Sequence, residues 1–429
     1  MSQWKRTPVE SAGAVVHDTR LDNGLRVLVV ERHTDPVVAS MCWYRVGSKS
    51  EHPDEAGMSH FLEHMMFKGT PTFGKGSVDR EITRLGGSNN AFTSYDYTAY
   101  WFELASDRWE TALDLEADRM QGLLLDPEEF ESEKAVVLEE LSMGLDDPWR
   151  RLSQDMSPLL WGRHPYSRPI IGYRDVLARM TPESMRAFYQ RFYHPGNATV
   201  VVSGDVEPEA AFDAIAKRYG SIPAGPRWED HDPWRPALEP PPGAQRLELT
   251  WDDPGRRILM AWPTGPVGEQ ADLACDLSTT VLATGRLSRM YRKLVLEKKL
   301  ASFVAAHNDA RQEGGSLLLY AEANQGVEMQ ALEAALQAEI ADFAKAPPSA
   351  VEFERAQSIL AAGERSETET VTDLAEHVGE YAIDRDWPMA FELTAMRRKL
   401  TPEDLQAFAQ TYLTPERCVT GTSMPTTQS

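Results

Sequence analysis

The apolar runs near the start of the chain are short, β-branched and broken by turn residues. Ala14-Val15-Val16 and Leu25-Arg26-Val27-Leu28-Val29-Val30 read as two strands, and Asp22-Asn23-Gly24 between them supplies the turn of a hairpin. Val37 to Val46 reads as a further strand. The pattern then changes. Gly57 to Phe67 carries no proline and is rich in Leu, Met and Phe, which predicts a helix. Asn89–Ser94 and Thr98–Leu104 return to strand character, and Arg108 to Leu125 has helical periodicity.

The next predicted helix is the most informative. Asp126 is a good N-cap, Pro127 suits the first helical position, and Glu128 and Glu129 complement the positive helix start. Phe130, Val137 and Leu141 define its inward face. Glu133 and Glu140 fall on that same face, whereas Glu128, Glu131 and Glu139 point to water. Two carboxylates aimed inward need a partner, because an unpaired buried charge is costly, and a metal ion is such a partner.

Farther on, Ser221 to Gln245 is dense in proline, including Pro240-Pro241-Pro242-Gly243, and reads as an extended linker. Strands are predicted at 246–251 and 257–262, and helices at 269–283, 286–298, 328–345 and 349–364. The chain echoes itself. Thr181-Pro182-Glu183 opens a segment with Ala187, Phe188, Gln190 and Pro195, and Thr401-Pro402-Glu403 opens one with Ala407, Phe408, Gln410 and Pro415, at a constant offset of 220. Each segment precedes an apolar run. Two related halves are therefore expected, each ending in a helix and a strand. The boundaries taken are 1–225, a proline-rich linker at 226–245, and 246–429.

Composition narrows the class. The chain has 429 residues, 42% of them hydrophobic and 26% charged, which fits a globular protein with more than one domain. A formal net charge of −22 argues against nucleic acid as a partner, since phosphates call for Lys and Arg. The three cysteines, Cys42, Cys275 and Cys418, are far apart and define neither a disulfide framework nor a thiolate metal site. No apolar run approaches a membrane span, and Met1 to Arg6 leads into no signal-like segment. The cytoplasm is the expected compartment, with the periplasm the alternative if the N-terminus is processed.

The candidate chemistry sits in the first predicted helix of the chain. His60 and His64 are one helical turn apart on one face, with Glu63 beside them. Two imidazoles in that register can bind one metal ion, and zinc suits them. A neighbouring carboxylate that is not a ligand is free to act on a water bound there. The second half has nothing comparable: His307 and His377 are isolated and read as surface or core histidines.

These motifs resemble a known family. His60-Phe61-Leu62-Glu63-His64, followed by Met65 to Thr70, is similar to the signature of the inverzincin metallopeptidases of the pitrilysin–insulysin (M16) group, in particular the half-sized subunits of the mitochondrial processing peptidase β type and their bacterial relatives. Gly87 to Ser94 and Glu133 to Leu141 also match. The resemblance covers nearly the whole chain and is densest from 24 to 205. It implies an α+β fold of two homologous α/β-sandwich halves, each an antiparallel-rich sheet packed with helices. It implies Zn2+ held by His60, His64 and, after 75 intervening residues, Glu140. Glu139 is the rival by one position, and the amphipathic pattern prefers Glu140. Glu63 would be the general base, and Glu133 an acid that orients the site. Asn90, Ala91 and Phe92 match the edge strand that, in the family, pairs with substrate backbone.

One departure stands out. Family members that work alone carry an Arg and a Tyr in the second half that bind the substrate carbonyl. Gly285 to Tyr291 resembles the Arg segment and Lys299 to Val304 the Tyr segment, but Ser302 stands where the Tyr belongs. The expectation is a zinc endopeptidase subunit that cleaves unfolded peptides with a homologous second chain, two such chains closing as a clamshell. The alternatives are a self-sufficient homodimeric peptidase and a non-catalytic scaffold or peptide-binding subunit.

Overall fold

The computed structural model describes residues 4–226 and 236–426. Two mixed sheets organise the chain. The first contains β1 (Lys5–Val9), β2 (Ala14–Arg20), β3 (Arg26–Glu31), β4 (Val37–Tyr44), β5 (Ser88–Thr93), β6 (Thr98–Ala105) and β7 (Ala198–Gly204), in the spatial order β1-β2-β3-β7-β4-β6-β5. The second contains β8 (Gln245–Trp251), β9 (Arg257–Thr264), β10 (Ala301–Ala310), β11 (Gly315–Ala323) and β12 (Val419–Pro425), in the order β10-β11-β9-β12-β8. Each sheet has one parallel pair, β3 with β7 and β8 with β12, and its other pairs are antiparallel.

Read from its other end, the second sheet runs β8-β12-β9-β11-β10. That repeats β3-β7-β4-β6-β5 strand for strand and sense for sense. The echo at offset 220 has a structural basis in this repeat. Thr181 caps the helix Pro182–Phe192 by accepting from the Ser184 N–H, and Thr401 caps the helix Pro402–Tyr412 by accepting from the Asp404 N–H. Each helix is followed by a proline-led turn and then by β7 or β12, each of which has one parallel and one antiparallel neighbour. The fold is thus α+β in two homologous halves, as expected.

The compact units are not the contiguous halves 1–225 and 246–429. Among the described residues, one unit takes in 4–141, 168–226 and 365–391, and the other 142–167, 236–364 and 392–426. In the first unit the helix Val371–Asp384 packs on β4 and β7. Leu374, Ala375, Val378 and Ala382 join Leu28, Met41, Trp43 and Val201 in one core layer. Alternation along β4 turns Cys42 and Tyr44 the opposite way, and the Tyr44 hydroxyl donates to Glu116 on the helix Glu110–Gly122. In the second unit the helix Pro148–Trp161 plays the matching role, burying Leu152, Met156 and Leu160 against β8, β9 and β12. Each sheet thus receives one covering helix from the other half of the sequence. The 226–245 linker lies partly outside the described residues, since 227–235 are not among them.

Most predicted elements fall where the pattern put them. The segment 286–298 is a partial exception: its regular part is a seven-residue π-helical stretch, Tyr291–Glu297. Among the described residues no helix is long and apolar enough to cross a membrane. Cys42, Cys275 and Cys418 are free and buried.

Candidate metal site

The site forms in the first unit, where two helices and an edge strand meet. The helix Met58–Met65 buries Met58, Phe61, Leu62 and Met65. That apolar stripe fixes the helix's rotation about its own axis and leaves His60, Glu63 and His64 on the less buried side. Phe61 stacks, tilted, on Phe130 of the helix Pro127–Leu145, with ring centres 4.7 Å apart, so the two helices are held together through their apolar faces. Phe130 and Val137 are fully buried, Glu140 is half-buried and Glu139 is exposed. The helical periodicity therefore separates the two adjacent glutamates as expected.

His60, His64 and Glu140 each offer one donor atom, and the three atoms lie within 4.8 Å of one another. The His60 Nε2 is 3.7 Å and the His64 Nε2 3.6 Å from Glu140 Oε2. Ligands about 2.05 Å from a tetrahedral ion are separated by about 3.4 Å. The donor types fit zinc, and both imidazole-to-Glu140 separations lie close to that value.

Glu133 lies on the same helix face, two turns before Glu140. It is 8% exposed, and its Oε1 is 2.9 Å from His64 Nδ1 while Oε2 pairs with the Lys68 ammonium. Burial pushes the Glu133 carboxyl up. Hydrogen bonds from Lys68 and His64 outweigh that and hold its pKa below the usual value. An ionised acceptor there takes the Nδ1–H and leaves the Nε2 lone pair facing Glu140. The sequence pattern gives Lys68 no role. Its place four residues after His64, one turn farther along, was the available signal.

Glu63 is placed differently. The Thr93 hydroxyl donates to Glu63 Oε2 at 2.5 Å. Burial raises the Glu63 pKa, and the nearby Glu140 adds to this, while the Thr93 bond and His64 oppose it. A cation held by the neighbouring donors would stabilise the ionised form. Thr93 ends β5, the outermost strand of its sheet, which among the described residues pairs only with β6. Thr93 lies within the matching Gly87–Ser94 segment, but the sequence pattern gives it no function. Only the packing of the helix Met58–Met65 against β5 reveals its contact.

Asn90, Ala91 and Phe92 all lie on β5. The Phe92 ring packs edge-on against Trp43, with ring centres 5.5 Å apart, which anchors the edge strand to the core. Asn90 is exposed, and among the described residues β5 has no strand on its outer side. Such an edge is competent to add an extended peptide. In the second unit, Arg286 is exposed, Arg289 makes a two-pronged pair with Glu352, and the exposed Ser302 hydroxyl donates to the Glu322 carbonyl. His377 is buried with Nε2 2.7 Å from the Ala390 carbonyl, and His307 is exposed.

A helix-borne His-x-x-Glu-His, a glutamate from a second helix and a two-fold repeated α+β chain define the inverzincin class of fold and site. Comparison with known proteins agrees. Residues 26–173 match the family described as insulinase (peptidase family M16), and residues 179–360 match the peptidase M16 inactive domain. The chain is 28% identical over 380 residues to the zinc protease PqqE of Helicobacter pylori, covering 85% of this chain and 83% of that one. It is 31% identical over 320 residues to an uncharacterised zinc protease of Mycobacterium leprae, covering 74% and 71%. A crystal structure of a protease from Helicobacter pylori superposes with a TM-score of 0.91 at 26% identity, covering 96% of this chain and 99% of that one. The chain belongs to peptidase family M16.

Proposed function

We propose that this chain is the zinc-bearing subunit of a metalloendopeptidase acting on unfolded peptides. His60, His64 and Glu140 would hold Zn2+. When bound, zinc would supply Lewis acidity to the scissile carbonyl and to a water. Glu63 takes the proton of that water and delivers it to the leaving amine. Glu133 holds His64 in the tautomer that presents Nε2. Asn90, Ala91 and Phe92 receive the substrate main chain along β5, giving affinity with little dependence on side-chain sequence. The observation that carries this reading is the convergence of three donor atoms within 4.8 Å, with an uncoordinated, hydrogen-bonded glutamate beside them.

Ser302 favours a homologous partner. A serine hydroxyl cannot reach where a tyrosine phenol would, so the chain lacks one donor for the developing oxyanion, a role worth several kcal/mol elsewhere. A second family member would supply it in a heterodimer. A homodimer would share the deficit, and a purely scaffolding subunit has no need of Glu63. We place the protein in the bacterial cytoplasm, a reading that cell fractionation tests. For the reaction, the test is Glu63→Gln assayed with its partner. Peptidase activity should vanish while zinc stays stoichiometric; persistent turnover would sink the assignment. Assaying the chain alone, then with a co-encoded homologue, separates the heterodimer from the self-sufficient enzyme.

A further inference from the structure

The helix that carries the two histidines starts at Gly57, which has no side chain to cap it. Its first N–H groups need acceptors. They find one carboxylate from outside the helix. The Gly57 N–H donates to Glu51 Oε2 at 3.0 Å, and the Ser59 N–H donates to Glu51 Oε1 at 2.7 Å. Glu51 is 1% exposed, and both its oxygens are used; burial pushes its pKa up to about 8, while the Ser59 and Gly57 N–H bonds and the Arg168 charge favour the ionised form. Ser59 immediately precedes His60, so the anchored amide is one residue from the first imidazole.

Glu51 is itself held. The buried Arg168 guanidinium donates to the carbonyls of Ser48 and Glu51, at 3.2 and 2.7 Å. Before Glu51, the Ser48 and Lys49 N–H groups donate to the carbonyls of Ser94 and Tyr95. Those two residues directly follow Thr93, whose hydroxyl holds Glu63. One short segment therefore ties the start of the histidine helix to the end of the edge strand. The opposite side of the helix start is equally tight. Gly57 has φ +99°, and a Cβ there would lie 2.6 Å from the Ile171 carbonyl oxygen. Gly172 has φ +79°, and a Cβ there would lie 2.1 Å from the Ala56 carbonyl oxygen.

We infer that Glu51 is a further positioning residue of the metal site: its carboxyl group sets the register of the histidine helix relative to β5, and so aims His60 and His64 at Glu140. This rests on the zinc reading above for its consequence, but not for its geometry. A buried carboxylate placed only for stability would be needed no more by the metal than any other core contact. A positioning carboxylate must change the coordination itself.

The experiment uses the full chain with Glu51→Gln and the shorter acid Glu51→Asp. Gln keeps the volume but turns an NH2 donor toward an N–H, so one anchor bond is lost. In metal-free protein, amide hydrogen exchange at Gly57 and Ser59 should accelerate at least tenfold in Glu51→Gln. In protein loaded with Co2+, the visible ligand-field spectrum should shift, and zinc should bind about tenfold more weakly, with Glu51→Asp intermediate. The control is Val16→Ala, a core truncation in the same unit that lowers the melting temperature. It should leave both the cobalt spectrum and the zinc affinity unchanged. If Glu51→Gln melts earlier yet keeps wild-type exchange at the two amides, the anchor is refuted. If exchange rises but cobalt spectrum and zinc affinity match wild type, the positioning role is refuted. A wild-type chain that takes up no metal would instead overturn the zinc reading, with exchange alone then deciding the anchor. Should Glu51→Gln fail to fold, Glu51→Asp gives the same readouts.

Discussion

Glu133 offers the sharpest perturbation of the proposed centre, because it touches a ligand without being one. Its carboxylate lies 2.9 Å from His64 Nδ1 and also pairs with Lys68. A hydrogen bond to a charged group contributes roughly 1.5–3 kcal/mol. Removing the group that orients a metal-binding histidine typically costs about 10–100-fold in affinity, which is roughly 1.4–2.7 kcal/mol. The two estimates agree. Glu133→Gln keeps one carbonyl acceptor, which His64 and Lys68 must share, so about tenfold weaker zinc binding is expected. Glu133→Ala removes both acceptors and leaves the partly buried Lys68 ammonium without this carboxylate, so the loss should approach 100-fold. Lys68→Met should fall between wild type and Glu133→Ala, since it frees the carboxylate without removing it. Competition against a chromophoric chelator, starting from metal-free protein, measures all three. Wild-type affinity in Glu133→Ala would refute the reasoning, because it would mean that His64 is oriented without that bond.

Other outcomes follow from the same structure. Phe61→Ala should destabilise the first unit by about 3–5 kcal/mol in chemical denaturation, since Phe61 is fully buried on Phe130 between the two ligand-bearing helices. Gly172→Ala should lower the melting temperature and weaken metal binding together, because its Cβ would overlap the Ala56 carbonyl at the start of the histidine helix. In the second unit, the Arg289 guanidinium, chiefly by hydrogen bonding, holds the Glu352 carboxyl down to about 2 against an ordinary 4.5. The folded-state pKa is the lower one. That pair's contribution is therefore complete above about pH 4.5 and is lost as pH falls toward 2, and Arg289→Met should flatten stability across that window in urea titrations. Saturating zinc at about 100 times its dissociation constant should stabilise the chain by about 2.7 kcal/mol, an increment that a chelator removes.

Local pattern carried much of this architecture. The β2–β3 hairpin follows from β-branched runs around Asp22-Asn23-Gly24, whose loop closes as the Gly24 N–H donates to the Leu21 carbonyl. Helical periodicity alone placed Glu140 inward and Glu139 outward, because Phe130 and Val137 anchor the helix's rotation. What local pattern could not reveal is long-range. The helices Pro148–Trp161 and Val371–Asp384 lie in sequence beside one sheet and pack on the other, a choice made by complementary apolar faces hundreds of residues apart. Thr93 and Glu51 were invisible for a related reason, and Lys68 was legible only by its spacing from His64. Thr93 and Lys68 act through carboxylates on other elements, Glu51 acts through amides six and eight residues on, and a polar residue in a motif does not announce which atom it will bond. The strand β1 was also missed, since Thr7-Pro8 near a chain terminus resembles loop composition.

The central claim is that two imidazoles and one carboxylate from separate helices bind a single zinc ion. X-ray absorption at the zinc edge of the purified chain, with metal content counted on the same sample, tests it most directly. The account predicts one zinc per chain, nitrogen and oxygen neighbours at about 2.0–2.1 Å, and outer scattering from two imidazoles. Sulfur neighbours, fewer than two imidazoles, or an unchanged spectrum in Glu140→Ala would contradict it.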